Sequence, residues 1–454
     1  MSNLTLPPGF GGVLAATILN GSYIQLYETA IPATLALLAG VTGRAYRTPT
    51  GKDLSQYMIL VAPMAVGKDA IHEGIPAMLE LAEAPFINPD RFVRREDFVS
   101  GAALHRAVLE TPGFLNLQGE FGRKLKRMAN PSDAPMQELR TKLTRAYSAP
   151  YMDGKTHSRP EDCLPGVRFP ALSFLGETTP RTFFDLLTPD MLEDGFLSRF
   201  LITLYNGDRP PATSDRAYVL EPPARQYWRD MLTYCAHWHA VNCPLPVPVT
   251  YWDREAAELL DGKGDSFEEE CRLEVNASDN PLTQAVYGRA HLKAQKIASQ
   301  LAVADNFARP VITTVHAAWA IDYVRRDISL VQQRQQAGDI GVDDDARERA
   351  VIRVLFEYLA NEIPTSYGVD PRLKTNMLIT FDYLRRRTRG LSAFKQHRGD
   401  ALEALKQIVR SLVDRGYIME VQKDKMVEQY SFHGKCYRLL NQSVAEIVQA
   451  GELG

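Results

Sequence analysis

The chain has 454 residues, of which 45% are hydrophobic and 24% charged, and its net charge is −3. This composition excludes a collagen-like, low-complexity or wholly disordered chain and is typical of a globular protein of about two to four domains. Five cysteines without a CxxC pair predict free thiols in a reducing compartment. No early apolar stretch reaches the ~20 residues of a bilayer span, so we expect a cytoplasmic protein without a membrane partner.

Short apolar runs that alternate with helical patterns predict an α/β fold around a parallel sheet. Residues 1–50 form a predicted helical segment, with helical spacing from Tyr23 to Leu38. Four later runs are typical of buried parallel strands and place an α/β core at residues 51–206. These runs are Tyr57–Ala62, Gly113–Leu117, Ala171–Leu175 and Phe200–Tyr205.

The second half of the chain is predominantly helical by its periodicity. Residues 207–335 are predicted to form a helical lid or extension, with long helices at Thr283–Asp305 and Thr313–Gln333. Beyond a candidate linker, residues 346–441 show three helices followed by two strands, the order of a winged-helix domain. These elements are Ala346–Glu362, Lys374–Arg387, Asp400–Gly416, Tyr417–Val421 and Tyr437–Leu440.

The turn after the first strand has the position and part of the sequence of a P-loop. Gly67 and Lys68 match the motif, in which backbone N–H groups and a lysine hold phosphates. Ala62 replaces the first glycine, and Asp69 replaces the hydroxyl residue that ligates Mg²⁺. By pattern alone, a simple strand–turn–helix joint with a surface lysine stays open. The candidate ATP-binding residues are Ala65, Val66, Gly67, Lys68, Asp69 and Ala70.

Polar residues near the later strands fall in the order that a phosphate site needs. Glu120 either polarises the attacking water and contacts Mg²⁺, or is a first-turn charge of the next helix. Glu177, Thr178 and Thr179 end the third strand, where they either sense the γ-phosphate or cap a helix. Arg199 precedes the fourth strand and is either an arginine finger or part of a salt bridge.

Together, the apolar helical lead-in, the GK turn with its acid, GEFG, GETTP and GFLSRF resemble the ATPase module of phage and prophage primase-helicase proteins. LSRF is also similar to the arginine-finger segment of MCM-type AAA+ helicases. Over residues 8–330, the resemblance implies a RecA/AAA+-like core that hydrolyses ATP with Mg²⁺ in a hexameric ring around single-stranded DNA, with a separate primase. It implies catalytic roles for Lys68, Glu120, Thr179 and Arg199, and Mg²⁺ contacts for Asp69 and Glu120.

Two basic regions are candidates for DNA contacts, with a solvated surface as the alternative for each. Residues 372–438 hold 15 Lys and Arg against 7 Asp and Glu, and protein docking is a further alternative for this module. The first region, between the second and third strands, includes Lys124, Lys126, Arg127 and Lys155. The second region, near the start of the third helix of the winged-helix module, comprises Arg385, Arg386, Arg387, Arg389, Lys395 and Arg398.

Two weaker patterns carry mainly structural interpretations. Cys235, His239 and Cys243 recur every four residues, but a structural zinc site needs a fourth ligand, so helical packing is favoured. Arg289 is a candidate second sensing arginine on the lid, and a solvent-facing position is favoured for it.

Three functions therefore remain open from the sequence. The first is an ATP-driven replicative helicase that forms a ring on single-stranded DNA. The second is an ATP-gated, hydrolysis-poor helicase loader or origin-binding protein, which the departures at Ala62, Asp69 and Gly119 favour. The third is a DNA-binding regulator in which the P-loop-like turn is vestigial.

Overall fold

The computed structural model describes residues 4–84, 87–156, 158–184, 195–240, 247–262, 264–336, 344–364, 367–395 and 401–440. The chain divides into two compact units. The first comprises Met1–Phe183 and Asp190–Ser329, and the main part of the second is Leu330–Gly454. No helix among the described residues is long and apolar enough to cross a membrane.

The first unit is built on a five-stranded parallel sheet. The strands of the whole unit, in chain order, are β1 (Tyr57–Val61), β2 (Val93–Arg94), β3 (Gly113–Gln118), the short pair β4 (Tyr151–Met152) and β5 (Val167–Arg168), β6 (Ala171–Thr178), β7 (Phe200–Leu204), and the short pair β8 (Tyr251–Trp252) and β9 (Val311–Ile312). The main sheet has the order β2-β3-β6-β1-β7. The strand that precedes the P-loop-like turn therefore lies between β6 and β7, and β6 separates it from β3. All neighbouring strands of this sheet are parallel and helices alternate with them along the chain, so the predicted α/β fold with a parallel sheet core is confirmed.

Helices precede, separate and follow these strands along the chain up to residue 336. They are α1 (Gly9–Gly21), α2 (Tyr27–Thr42), α3 (Ile75–Leu81), α4 (Gly101–Glu110), α5 (Phe121–Met128), α6 (Ala134–Ala146), α7 (Pro180–Phe184), α8 (Pro222–Trp238), α9 (Arg254–Asp261), α10 (Phe267–Ala277), α11 (Pro281–Tyr287), α12 (Ala290–Asp305) and α13 (Thr314–Gln336). Helix α2 is buried on nearly every side because it packs against the sheet, α1 and α12.

Two predicted helices have different boundaries in the structure. The helical pattern from Tyr23 begins too early, because residues 22–26 separate α1 from α2, which begins at Tyr27. The predicted helix Thr283–Asp305 is divided at Gly288, which caps α11, and at Arg289, whose backbone is non-helical. Apolar periodicity continues across both joints, which is why the sequence pattern did not show them.

Helix α12 is fixed to the sheet by buried polar side chains. Lys293 Nζ donates to the Phe200 carbonyl at 2.6 Å, and Lys296 Nζ donates to the Ser55 carbonyl at 2.7 Å. Gln300 Nε2 donates to the Leu54 carbonyl at 2.7 Å. These acceptors lie at or just before the amino ends of β1 and β7. This part of the predicted lid region therefore packs at the sheet edge where the strands begin.

The second unit has the order of a winged helix. Its elements are α14 (Asp344–Ala360), α15 (Pro371–Thr375), β10 (Leu378–Thr380), α16 (Phe381–Thr388), α17 (Ser392–Lys395), α18 (Ala401–Asp414), β11 (Ile418–Glu420), α19 (Lys423–Tyr430) and β12 (Cys436–Leu439). Strand β12 pairs antiparallel with both β10 and β11. Buried side chains of α14, α16 and α18 form the core with this sheet.

Two details of this unit differ from the sequence prediction. The predicted helix Lys374–Arg387 is wrong, because β10 interrupts it and pairs with the distant β12. The predicted polar loop between the last two strands contains α19, which places Met426 in a small apolar cluster with Leu373, Leu378 and Cys436. Both differences come from contacts between residues far apart in sequence.

Candidate functional site

The turn after β1 is shaped to present backbone N–H groups. Ala65 and Gly67 adopt left-handed conformations, with φ of 61° and 85°. Alternation between right- and left-handed residues makes a concave nest of N–H groups that attracts anions. Among the described residues, the N–H groups of Ala65, Gly67 and Lys68 have no hydrogen-bond acceptor. They are therefore available to a ligand with negatively charged oxygens.

A glycine is also required at position 67 because the turn packs closely against the loop between α1 and α2. A Cβ at this position would lie 2.8 Å from the Ile24 carbonyl oxygen and 2.9 Å from the Ile24 Cβ. Substitution therefore adds a steric clash to the strain of a left-handed alanine. The α1–α2 loop and the P-loop-like turn form one packed unit.

We expect Gly67→Ala to lower the free energy of unfolding by about 2–5 kcal/mol, because strain and overpacking add. Gly51→Ala is the matched control, since Gly51 has a similar φ of 82° but a Cβ there would meet no atom within 4 Å. Gly51→Ala should lower the free energy of unfolding by only ~1–2 kcal/mol, the strain of a left-handed alanine. Urea unfolding of both variants checks this, and equal losses would contradict the packing argument.

Lys68 lies at the carboxyl edge of the sheet, beside the end of β6. Its Nζ donates to the Thr178 carbonyl at 3.3 Å and lies 3.6 Å from Glu177 Oε2. The other oxygen of Glu177 lies 3.0 Å from His72 Nε2. His72 belongs to a single π-helical turn, Ala70–Gly74, that follows the P-loop-like turn. Such turns are rare and occur frequently at functional sites.

These groups open into a cavity of about 520 Å³, a volume typical of small-molecule sites. It is lined by residues of the P-loop-like turn and by the ends of two other sheet strands. The lining residues are Tyr23, Ile24, Met64, Ala65, Gly67, Lys68, Asp69, Glu120, Gly122, Arg123, Glu177, Thr178, Thr179, Thr182 and Arg209. The cavity therefore brings together Ala65, Gly67, Lys68, Asp69, Glu120 and Thr179 of the predicted site.

Two of the predicted binding residues do not reach the cavity. Val66 and Ala70 are buried and do not line it. The Ala70 N–H is already used, because it donates to the Gly67 carbonyl at 3.2 Å. Their side chains support the turn by packing, and their contacts with ATP stay predictions.

Glu120 lines the cavity but faces its exposed rim. Its backbone is left-handed, with φ of 48°, and its side chain is 69% exposed. Its Oε2 pairs with Arg123 Nη1 at 2.9 Å. Thr179 Oγ1 lies 2.9 Å from Thr182 Oγ1 at the start of α7, so both its predicted roles, capping and ligand contact, are compatible with its position.

The oxygen groups of the cavity fit Mg²⁺ brought by a nucleotide. Asp69 and Glu120 supply carboxylates, and Asp69 Oδ2 already accepts the Tyr23 N–H at 3.3 Å. The described residues contain no cluster of three His, Cys, Asp or Glu that could hold a metal ion. Mg²⁺ usually takes one or two carboxylates plus waters and substrate phosphates, so such a cluster is not needed.

Arg199 lies at the other edge of the sheet. It ends a 3-10 turn, Leu197–Arg199, immediately before β7, whose first residue pairs with Tyr57 at the start of β1. Its Nη1 donates to the Gly195 carbonyl. The predicted contact with a cavity is therefore possible only with the cavity of another copy.

Arg289 also lies at this edge, which contradicts a sensing role in its own cavity. Its guanidinium carbon is 6.0 Å from the centre of the Tyr147 ring. Tyr147 in turn packs against Tyr57, with ring centres 5.1 Å apart. Arg289 is not among the cavity residues, and it is half-buried at a non-helical position rather than on a solvent-facing helix position.

The sequence analysis missed Tyr23, Ile24 and Arg209 as cavity residues. Tyr23 and Ile24 lie in the break between α1 and α2, where no helix break was predicted. Arg209 is exposed in the proline-rich connection after β7. The only available signal was the proximity of that connection to a strand end, because strand ends of one parallel sheet meet at one edge.

In the insertion between β3 and β6, one predicted DNA contact is wrong. Lys124 Nζ donates to Gln118 Oε1 at 2.6 Å and pairs with Asp97, and its side chain is only 11% exposed. Burial lowers the pKa of this lysine, an effect that Asp97 opposes. Lys126 is exposed and Arg127 pairs with Asp133 at 2.9 Å.

The same insertion contains a hairpin formed by β4 and β5. Lys155 lies in it and pairs with Glu138 at 2.7 Å while staying about one-third exposed. Arg159 near its tip is exposed, as is Tyr151. This combination of basic and aromatic side chains suits single-stranded nucleic acid.

In the second unit, the arginine cluster ends the second helix of the winged-helix order rather than starting the third. Arg385 and Arg386 share Asp382, and Arg387 pairs with Glu357. Arg389 is exposed, and a cavity of about 400 Å³ separates this end of α16 from the start of α18. The side chain of Lys395 and the whole of Arg398 lie outside the described residues.

Two residues of the candidate zinc pattern, Cys235 and His239, belong to the described residues, and both have structural roles. His239 is buried, and its two ring nitrogens lie 2.8 Å from the carbonyls of Gly113 and Val41. Cys235 is fully buried in α8, and Cys243 lies outside the described residues.

Comparisons with known proteins leave the family open. No protein-family model matches the chain, and no curated protein matches it. Solved structures that match include Drosophila ORC bound to DNA, with 12% identity over 99% of this chain and 94% of that chain and a TM-score of 0.23. The Aeropyrum pernix ORC1 protein in complex with DNA matches with 13% identity over 92% of each chain and a TM-score of 0.22. These TM-scores are too low to bear on function.

Proposed function

We propose that the protein is an ATP-dependent replicative DNA helicase of the phage type, a homo-oligomeric, hexameric ring motor that acts on single-stranded DNA beside a separate primase. The observation that carries the ATP site is the cavity where Lys68, the N–H nest and three carboxylates meet at the carboxyl ends of β1, β3 and β6. In open α/β sheets, ligands bind at this edge.

Within the cavity, the chain's groups divide into phosphate donors and Mg²⁺ contacts. The N–H groups near Gly67 and the ammonium of Lys68 hold phosphate oxygens. Asp69 and Glu120 contact Mg²⁺, which neutralises charge that develops on the phosphates. The Thr179 hydroxyl donates a hydrogen bond to a γ-phosphate oxygen or to the attacking water. Catalysis then consists of positioning and charge stabilisation, with no covalent intermediate on the protein.

We propose that Tyr23 stacks on the nucleobase, because this residue lines the cavity and is 45% exposed. Tyr23→Ala should weaken ATP binding by about 1–3 kcal/mol, the value of one base–aromatic stack. Binding of inorganic tripolyphosphate, which has no base, should not change. Tyr27→Ala is the matched control, since Tyr27 is 42% exposed but does not line the cavity. Equal losses for ATP and tripolyphosphate would contradict a base contact.

The β4–β5 hairpin is the proposed contact with single-stranded DNA. Each arginine that releases one counterion contributes about 0.7 to the slope of log affinity against log salt for single strands. We therefore expect Arg159→Gln to reduce that slope by about 0.7, the share of one phosphate contact. Fluorescence anisotropy with labelled oligonucleotides over a salt series measures it. Arg254→Gln, at a site that is 90% exposed and outside the insertion, should leave the slope unchanged.

A second candidate function is an ATP-gated helicase loader or origin-binding protein. The winged-helix order and the exposed Arg389 favour it, because winged helices bind duplex DNA in the major groove. The replacement of the hydroxyl residue by Asp69 also favours slow turnover.

Strand displacement on a forked DNA substrate separates the two candidates. The motor unwinds the fork with ATP and fails with a non-hydrolysable analogue. The loader or origin-binding protein binds duplex DNA with the analogue as well as with ATP, and it displaces no strand. The second result would overturn the proposed helicase.

A further inference from the structure

Glu177 is the carboxylate that lies deepest beside Lys68. It is the last but one residue of β6, and its register partner is Leu60 in β1, next to the P-loop-like turn. Its side chain is 15% exposed, against 69% for Glu120. A carboxylate shielded from water keeps a fixed position relative to the lysine, whereas Glu120 is held by Arg123 at the rim.

Each oxygen of Glu177 has a separate partner. Oε1 is 3.0 Å from His72 Nε2, and Oε2 is 3.6 Å from Lys68 Nζ. If bound phosphates took over the Lys68 ammonium, Oε2 would lose this partner while Oε1 would keep its own. The carboxylate is then oriented by one oxygen and free to accept a proton on the other.

His72 is held in turn by its backbone. The π-helical turn directs its side chain toward β6, and Arg95 Nη2 donates to the His72 carbonyl at 2.6 Å. A Cβ on Gly119 would lie 3.8 Å from the imidazole, so the residue that follows β3 lies beside the pair. The imidazole is therefore placed to orient Glu177, and His72 is not among the residues that line the cavity.

We propose that Glu177, and not Glu120, is the general base for ATP hydrolysis, and that His72 is its positioning residue. The inference rests on the proposed ATPase function. The water oxygen forms a bond to the γ-phosphorus, and the bond from that phosphorus to the β,γ-bridging oxygen breaks, with its electron pair leaving on ADP. The water proton passes to Glu177 Oε2. Lys68 stabilises the negative charge that develops on the β-phosphate of the leaving ADP.

The test compares Glu177→Gln with Glu120→Gln, with fluorescent ATP binding measured beside hydrolysis. Glu177→Gln should lower kcat by about 10²–10⁴-fold, the usual effect of a general base, while still binding ATP. Glu120→Gln should lower kcat less than Glu177→Gln. Glu80→Gln, an exposed carboxylate on α3, is the control and should behave as the wild type. Wild-type kcat in Glu177→Gln, or the larger loss in Glu120→Gln, would overturn the inference.

His72 is tested by separating kcat from KM. His72→Ala should lower kcat while leaving KM and ATP affinity unchanged, and His72→Asn, which retains a donor, should recover part of kcat. Unchanged kcat in His72→Ala would overturn its positioning role. Glu177→Asp is the second variant in case Glu177→Gln misfolds. It retains the negative charge on a shorter side chain, and its kcat should also fall. A wild-type protein that binds no ATP would instead overturn the proposed function.

Discussion

Lys68→Ala is expected to weaken ATP binding by about 10–100-fold, because a charge-assisted hydrogen bond to phosphate contributes roughly 1.5–3 kcal/mol. Hydrolysis should fall by a further ~10²–10³-fold, since the ammonium stabilises charge that develops in the transition state. Titration with a fluorescent ATP analogue and a steady-state phosphate assay measure the two losses.

The structure also indicates why this substitution should not simply unfold the protein. The contacts of the Lys68 ammonium are with one carbonyl and one carboxylate at the cavity rather than with the hydrophobic core. Lys52→Ala is the matched control, because Lys52 is exposed and absent from the cavity lining. If Lys68→Ala binds ATP as tightly as the control, the P-loop interpretation is wrong.

Arg199→Ala should bind ATP normally and lose about 10³–10⁵-fold in hydrolysis, the contribution of an arginine finger. The residue immediately precedes β7 at the amino edge of the sheet, whereas the cavity is at the carboxyl edge. The strand alone separates these edges by about 13 Å at ~3.3 Å per residue. An arginine finger at this position would therefore act on the cavity of a neighbouring copy.

Mixing two inactive variants tests action between copies directly. In a mixed ring, a site with Lys68 from an Arg199→Ala copy and Arg199 from a Lys68→Ala copy is complete, so hydrolysis should return. Arg254→Ala, an exposed arginine paired with Glu258, serves as the control and should be fully active alone. Failure of the mixture to recover activity, although the two variants assemble together, would contradict the shared site.

The sheet could be predicted from sequence because its strands are buried on both faces. Runs such as Tyr57–Val61 are apolar throughout, and each is followed by a turn that carries polar residues. Since the carboxyl ends of parallel strands share an edge, the same pattern placed Lys68, Glu120 and Thr179 near one another. All three line one cavity.

The contacts that sequence reasoning missed come from distant segments. Lys124 is held by Asp97, from a loop before α4, and nothing local distinguishes it from the exposed Lys126. Tyr23 and Arg209 reach the cavity from segments more than 40 and 140 positions from Lys68, by the numbering of the chain. Strand β10 has only three residues and exists because β12 pairs with it.

One assay tests the proposed ATP cavity and the proposed DNA contacts together. It measures the rate of ATP hydrolysis with and without single-stranded DNA. We predict slow hydrolysis by the protein alone and a severalfold or greater stimulation by single-stranded DNA, with both rates abolished by Lys68→Ala and Arg199→Ala. Hydrolysis that DNA does not change, or that persists in Lys68→Ala, would contradict a ring motor built on this cavity.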